Sequence, residues 1–193
     1  MSSFYTEDEL KEIGFKSFGK NVLISKKASI NGAKNITIGN NVRIDDFCIL
    51  SGKITFGNYI HIGAYTAMFA GDFGIELDDF VGISSRCAVY AATDDYSGNC
   101  MTNPMIDDKY RNVISSKIII KKHSIIGTGS TIVPNGKSEL TIEEGTSIGA
   151  MSFVRKNTLA WNMYFGIPAK IIKARNKNIL ELEKQFLEEI RDE

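Results

Sequence analysis

Two side chains in this 193-residue sequence can trade a proton near neutral pH, His61 and His123. Imidazole is the side chain whose ordinary pKa lies there, so either could act as a general base. The neighbouring carboxylates Asp94 and Asp95 open a long polar stretch and could orient and charge-stabilise an imidazole. The three cysteines, Cys48, Cys87 and Cys100, are too few and too scattered for a disulfide framework or a CxxC zinc site. They read as buried, reduced thiols of a cytoplasmic protein.

The elements that carry these residues belong to an ordinary soluble chain, 43% hydrophobic and 24% charged. Its length suits one domain, or one domain with a small appendage. Lys plus Arg and Asp plus Glu each number 23, for a net charge of +0. No global field therefore draws the chain to nucleic acid or to an anionic membrane. Apolar runs are far short of the about 20 residues of a membrane span. The N-terminal residues show no basic and apolar leader, so the protein is expected in the cytoplasm.

The chain repeats in sixes. From Ile24 it reads ISKKAS, INGAKN, ITIGNN, VRIDDF, CILSGK, ITFGNY, IHIGAY, TAMFAG. The pattern resumes at Ile75, at Ile118 and at Leu140. Positions one and three are mostly aliphatic or small, position four is often Gly, and five and six are polar or small. Residues one to three predict a short strand with its first and third side chains on one side. Residues four to six predict a turn. A single unit buries almost nothing, so three units must form a coil and coils must stack. No helix-period stretch between 24 and 157 would support βαβ units.

The units ITIGNN, IIGTGS and SIGAMS, followed by Phe165-Gly-Ile-Pro-Ala-Lys170, resemble the hexapeptide-repeat acyltransferases. The resemblance covers about residues 20 to 175 and is nearer to galactoside and maltose O-acetyltransferases and to surface-polysaccharide acetyltransferases. The stretch Tyr90 to Gly98, then Thr102-Asn-Pro104, looks like that last group. It implies an all-β fold, a left-handed parallel β-helix solenoid of about six coils. The expected organisation is a cap with a short helix at 1–20, the β-helix at 21–173, and an amphipathic helix at 174–193. The capping box Thr6-Glu-Asp-Glu9 should open the first helix and Gly14 should stop it. The last helix carries Ile179, Leu182, Phe186 and Ile190 at helical spacing and is expected to cover the last coil.

With the units of a coil named A, B and C from Ile24, three interruptions follow B units: Asp72 to Gly74, Thr93 to Lys117, and Gly136 to Glu139. All leave the prism at one corner. The extended loop 93–117 is too long for a plain turn and reads as functional. Its Tyr96, Asn103, Tyr110 and Arg111 suit a hydroxylated ligand.

The resemblance implies transfer of an acetyl group from acetyl-CoA to a sugar. The related enzymes place a catalytic His at the start of the long loop, where this chain has Thr93-Asp94-Asp95. His61 or His123 is then the expected base, supported by Asp94 or Asp95 from a neighbouring subunit's loop. Both histidines fall near the C–A corner, about two coils apart, on the order of 10 Å. A late loss of the acceptor proton, with no His as base, is the other option. Gly127, Thr128, Gly149 and Ala150 match positions lining the family's CoA groove, and Lys156, Lys170, Lys173 and Arg175 match its basic positions. Zinc chemistry on this fold uses three His ligands, which two histidines cannot supply without an acidic or Cys substitute. No metal is therefore expected.

The expected activity is O-acetylation of a sugar hydroxyl in saccharide or surface-polysaccharide metabolism. The alternatives are N-acetylation of a nucleotide-linked amino sugar, and a non-catalytic β-helix scaffold. A homotrimer with sites between subunits is implied, with no nucleic-acid partner and no membrane span.

Overall fold

Ile36-Thr-Ile38 shows how a unit becomes a strand. Both isoleucines are buried and the threonine between them is half-buried. Three residues suffice because each strand pairs with its equivalent one coil on. Ile36 pairs with Ile54, Ile54 with Ile75, Ile75 with Ile118, and Ile118 with Leu140. The inward side chains of these ladders form one continuous apolar column, with Ile24, Ile44, Ile62, Leu50, Met68 and Val89 from the other faces.

Many of the turns use a left-handed residue at the sixth position. Asn41, Phe47, Tyr59, Tyr65, Phe80 and Arg86 have φ between 56° and 63°. Non-glycine residues hold this conformation when surrounding structure over-determines it. Here that structure is largely aromatic stacking along the prism's edges. Phe47 stacks on Tyr65 at 4.9 Å at the A–B corner. At the C–A corner Tyr59 stacks on Phe80 at 4.8 Å, Phe80 on His123 at 5.3 Å, and Trp161 lies tilted 6.4 Å beyond.

The computed structural model describes residues 3–136 and 138–192 and is a parallel β-helix of about 7 turns, mostly β, with two helices. Face A stacks Val22–Ile24, Val42–Ile44, Ile60–Ile62, Gly82–Ile83, Ile125–Ile126, Ser147–Ile148 and Asn162–Phe165 in parallel. The last of these lies beyond the hexapeptide pattern, so there is one more turn than the about six expected from the repeats. Faces B and C are joined, because Ile49–Phe56 and Ala67–Leu77 run through their shared corner unbroken. Asp72 to Gly74 therefore lie within a continuous strand. The 93–117 excursion leaves the same corner as an antiparallel ribbon, Ala92–Asp94 against Val113–Ser115. Of the third interruption, 136–139, residue 137 lies outside the described residues.

Helix α1 (Glu7–Ile13) is closed by the Thr6–Glu9 capping box, with Gly14 left-handed at its end and Leu10 in the core. Helix α2 (Ile179–Asp192) starts later than 174, because Lys170–Ala174 is a strand antiparallel to Asn162–Phe165. That strand, and not α2, covers the exposed edge of the last coil, where unpaired backbone would otherwise remain. Helix α2 instead lies along the C–A corner, with Phe186 edge-on to Tyr59 at 5.3 Å and to Phe80 at 6.3 Å.

Candidate functional site

His61 is the middle residue of its strand, so its side chain points away from the core and is 55% exposed. Its Nε2 lies 2.8 Å from Asp45 Oδ2, and Arg43 Nε donates to Asp45 Oδ1 at 2.7 Å. The partner carboxylate is thus Asp45, one coil below, and neither Asp94 nor Asp95 of this chain. Partial burial favours the neutral Asp45 acid, but hydrogen bonds from His61 and Arg43 outweigh it and hold the carboxyl below its usual range. The signal was present in sequence: Arg43 is the cross-strand neighbour of His61, and Asp45 follows two residues on along the same outer face.

His123 stands differently. As a rung of the corner ladder it is 2% exposed beneath α2. Its Nε2 lies 2.8 Å from Glu183 Oε2, while Lys122 Nζ approaches Glu183 Oε1 at 2.6 Å. Nδ1 is buried with no partner. This histidine is walled in, which removes the access a base needs toward an acceptor. Both histidines do line one largely apolar cleft of about 450 Å³ between α2 and face A, with Tyr59, Phe80, Leu182 and Phe186.

The two loop carboxylates separate as well. Both oxygens of Asp95 are engaged, one by Ser97 N at 2.8 Å and one by Asn112 Nδ2 at 2.9 Å. The Asn112 bond first, then those from Ser97, hold its carboxyl below the usual range. Asp95 therefore pins the ribbon and is not poised for proton transfer. Asp94 lines a cleft of about 650 Å³ with Tyr90, Thr93, Tyr96, Thr131, Phe153 and Arg155. Tyr96 lies at the edge of this cleft, 89% exposed. The other loop residues sit elsewhere on the excursion. Asn103 Oδ1 accepts from Met105 N at 3.0 Å, Tyr110 lies under Lys109, and Arg111 pairs with Asp108 at 3.0 Å. Phe153 and Arg155 were missed in sequence, because they come from face B two coils above the loop's root and only stacking brings them there.

The small-residue stripe has a packing reason of its own. A Cβ on Gly127 would lie 2.5 Å from Ala150 N, and one on Gly149 would strike the Phe165 ring. Gly149 is therefore covered by Phe165 and does not present an open groove wall. Thr128 Oγ1 donates to Ser85 O at 2.7 Å, close to a groove that runs past His61, Gly63, Ser84 and Ser85. Lys156 and Lys170 line one pocket near the last coils, together with Arg155. Lys173 is exposed on the covering strand. Arg175 is turned inward, donating to His123 O at 2.7 Å and Gly145 O at 3.1 Å, so it is a corner clamp rather than a free phosphate ligand. Cys48 and Cys87 are buried and Cys100 is half-buried. Burial pushes the Cys48 thiol up to about 11, leaving it inert. Among the described residues no three His, Cys, Asp or Glu side chains converge as a metal would require.

No family model matches the chain. It is 46% identical over 187 residues to dTDP-4-amino-4,6-dideoxy-D-glucose acyltransferase of Escherichia coli, covering 95% of both chains. The chain belongs to the hexapeptide-repeat acyltransferases. The structure of AntD, an N-acyltransferase from Bacillus cereus in complex with dTDP and 3-hydroxybutyryl-CoA, superposes with a TM-score of 0.95 at 56% identity, over 99% of this acyltransferase and 100% of AntD. Further AntD structures carry D94A, D94N, S84A, S84C or S84T, in that protein's own numbering. A putative lipopolysaccharide biosynthesis O-acetyl transferase of Escherichia coli (strain K12) is more distant, 28% identical over 170 residues, covering 83% of this acyltransferase and 80% of that protein. Among the described residues no helix is long and apolar enough to cross a membrane.

Proposed function

We propose that this acyltransferase moves an acyl group from acyl-CoA to the amine of a nucleotide-linked amino sugar, with a dTDP-4-amino-4,6-dideoxyhexose as the acceptor class. The reading replaces the sugar hydroxyl expected from sequence. Its support is the similarity to two proteins named for that chemistry, together with one observation on the cleft. The Asp94 cleft holds a carboxylate and, among the described residues lining it, no imidazole.

That pairing suits an amine. A hydroxyl acceptor must be deprotonated as it attacks, which calls for a base near neutral pKa. An amine can attack the thioester carbonyl first. The nitrogen of the resulting tetrahedral adduct is far more acidic than the free ammonium, so a carboxylate can take its proton. The C–N bond forms, the C–S bond breaks, and the thiolate of CoA leaves and is protonated. Asp94 holds the amine before attack and receives the proton after it. The backbone N–H of Ser85 at the groove would stabilise the oxyanion, since that of Ser84 already donates to Ile126 O at 2.9 Å.

This chain carries Ser84 and Asp94 at the numbers substituted in AntD. Within one copy they lie at different corners of the prism, across face B, roughly 20 Å apart at the rise of a strand. A site using both is completed by a second copy, in keeping with a homotrimer. The donor thioester would lie along the groove past Ser84, with Lys156 and Lys170 toward the CoA phosphates.

The test is release of free thiol from a panel of acyl-CoA donors. Turnover with dTDP-4-amino-4,6-dideoxyglucose, and none with the matching 4-hydroxy sugar nucleotide, is expected. Equal turnover of hydroxyl sugars, or none with the amine, would sink the reading.

A further inference from the structure

Arg155 is the fourth residue of its face-B unit, so the alternation of the strand turns it outward at the B–C corner. Cross-strand registers place Phe153 above Thr131 and Val154 above Ile132, which sets Arg155 above Val133 and, one coil further down, Tyr90. It therefore tops the row that forms one wall of the Asp94 cleft. The same side chain also lines the adjacent pocket of Lys156 and Lys170. Only Phe153 and Arg155 line both, and of the two Arg155 alone is charged.

Its charge is poorly satisfied. Nη2 donates to Pro134 O at 3.3 Å, the guanidinium lies 6.0 Å from the Phe153 ring, and Nε is buried with no partner. Among the described residues no carboxylate pairs with it at ion-pair distance. A guanidinium held partly out of water without an anion is unfavourable unless an anion arrives. Its planar fork of donors fits the oxygens of a phosphate better than any other anion the reaction presents.

We propose that Arg155 is a specificity-determining residue that grips a phosphate group of a substrate bound across the Asp94 cleft. A carboxylate and a guanidinium on one cleft then read a ligand that donates hydrogen bonds from its amine and is anionic at its phosphate. This rests on the amine-acceptor reading above. The phosphate has two possible sources, the diphosphate linking nucleoside to sugar and the phosphates of CoA, and Arg155 stands within reach of both pockets.

The experiment compares the wild type with Arg155→Gln and Arg155→Lys, using binding calorimetry with dTDP and with CoA, then steady-state kinetics. Loss of a charge-assisted hydrogen-bond pair should weaken one of the two ligands by about tenfold to a hundredfold. The KM for the matching substrate should rise in proportion while kcat stays within a few-fold, and Lys should restore part of the affinity. Weaker dTDP binding assigns the acceptor's diphosphate, and weaker CoA binding assigns the donor's phosphates. Unchanged affinity for both, with normal turnover, overturns the role of Arg155 and leaves the amine reading intact. If the wild type binds neither dTDP nor CoA, the amine reading itself fails. Should Arg155→Gln unfold, Arg155→Lys decides: full affinity for both ligands with an unchanged melting temperature also overturns the role.

Discussion

Glu183 of the C-terminal helix reaches His123 of the C–A corner at 2.8 Å, across 60 residues of sequence. The contact ties α2 to the aromatic ladder and holds one of the chain's two histidines in a buried pair. Removing the carboxylate should free α2 at this point and leave a buried imidazole unpaired. Glu183→Ala is expected to lower stability by about 1–3 kcal/mol, read by thermal or denaturant unfolding. Faster amide exchange in α2, with the coils unaffected, should accompany it. An unchanged melting temperature would show that the tie is not stabilising.

The same carboxylate gives stability a pH dependence of known sign. Burial favours its neutral form, but hydrogen bonds from Lys122 and His123 outweigh that and hold it below the ordinary value of 4.5. A carboxyl whose folded pKa is depressed contributes stability above its unfolded pKa and loses that contribution as pH falls through the folded value. The wild type should therefore lose stability below about pH 4.5 more steeply than Glu183→Gln. Parallel pH profiles for the two proteins would contradict this.

Ile62 is fully buried in the column, where a strand of one coil meets the next. Ile62→Ala should cost about 2–5 kcal/mol, since the rigid stack cannot collapse around the cavity. A loss under 1 kcal/mol in urea unfolding would mean that the coils relax more than their ladders suggest.

Gly127 and Gly82 make a matched pair. An added Cβ meets the Ala150 backbone at Gly127 and open space at Gly82. Gly127→Ala should cost about 1–3 kcal/mol through overpacking, whereas Gly82→Ala should be close to neutral. Equal melting temperatures for the two variants would refute the close approach of the coils.

The two candidate proton acceptors can be separated by activity. With an amino-sugar acceptor, Asp94→Asn should lower kcat by about 10²-fold or more, while His61→Ala should stay within a few-fold. The reverse order would move the base to His61 and its partner Asp45, and would favour a hydroxyl acceptor.

Much of the fold was legible because a hexapeptide unit specifies its own geometry. In the first coil the phase beginning at Ile24 is two residues out, since Ile24 pairs with Ile44 and Ile30 with Leu50, and the turn Ala33–Asn35 takes up the two extra residues. From Ile36 on it names the paired residues, and the A, B and C ladders follow it to Phe153–Val154. The phase fails beyond residue 157, where Asn162–Phe165 forms another turn without the repeat and Lys170–Ala174 folds back on it. The site was legible only in pieces. Asp94, Tyr96, Lys156 and Lys170 stood out as residue types, but nothing in their spacing shows that Arg155 and Phe153 close the cleft over Asp94.

The sequence alone determined the column: alternating Ile and Val fix which side chains go inward, and a period of six repeats that choice coil after coil. It also determined the poverty of imidazole. Only the tertiary structure decided what each histidine can do, because partners come from stacked coils and from α2 rather than from neighbours in sequence. His61 meets Asp45 on an open face. His123 becomes a buried rung beneath Glu183. Burial and partner, which depend on how distant segments pack, give two identical side chains opposite surroundings.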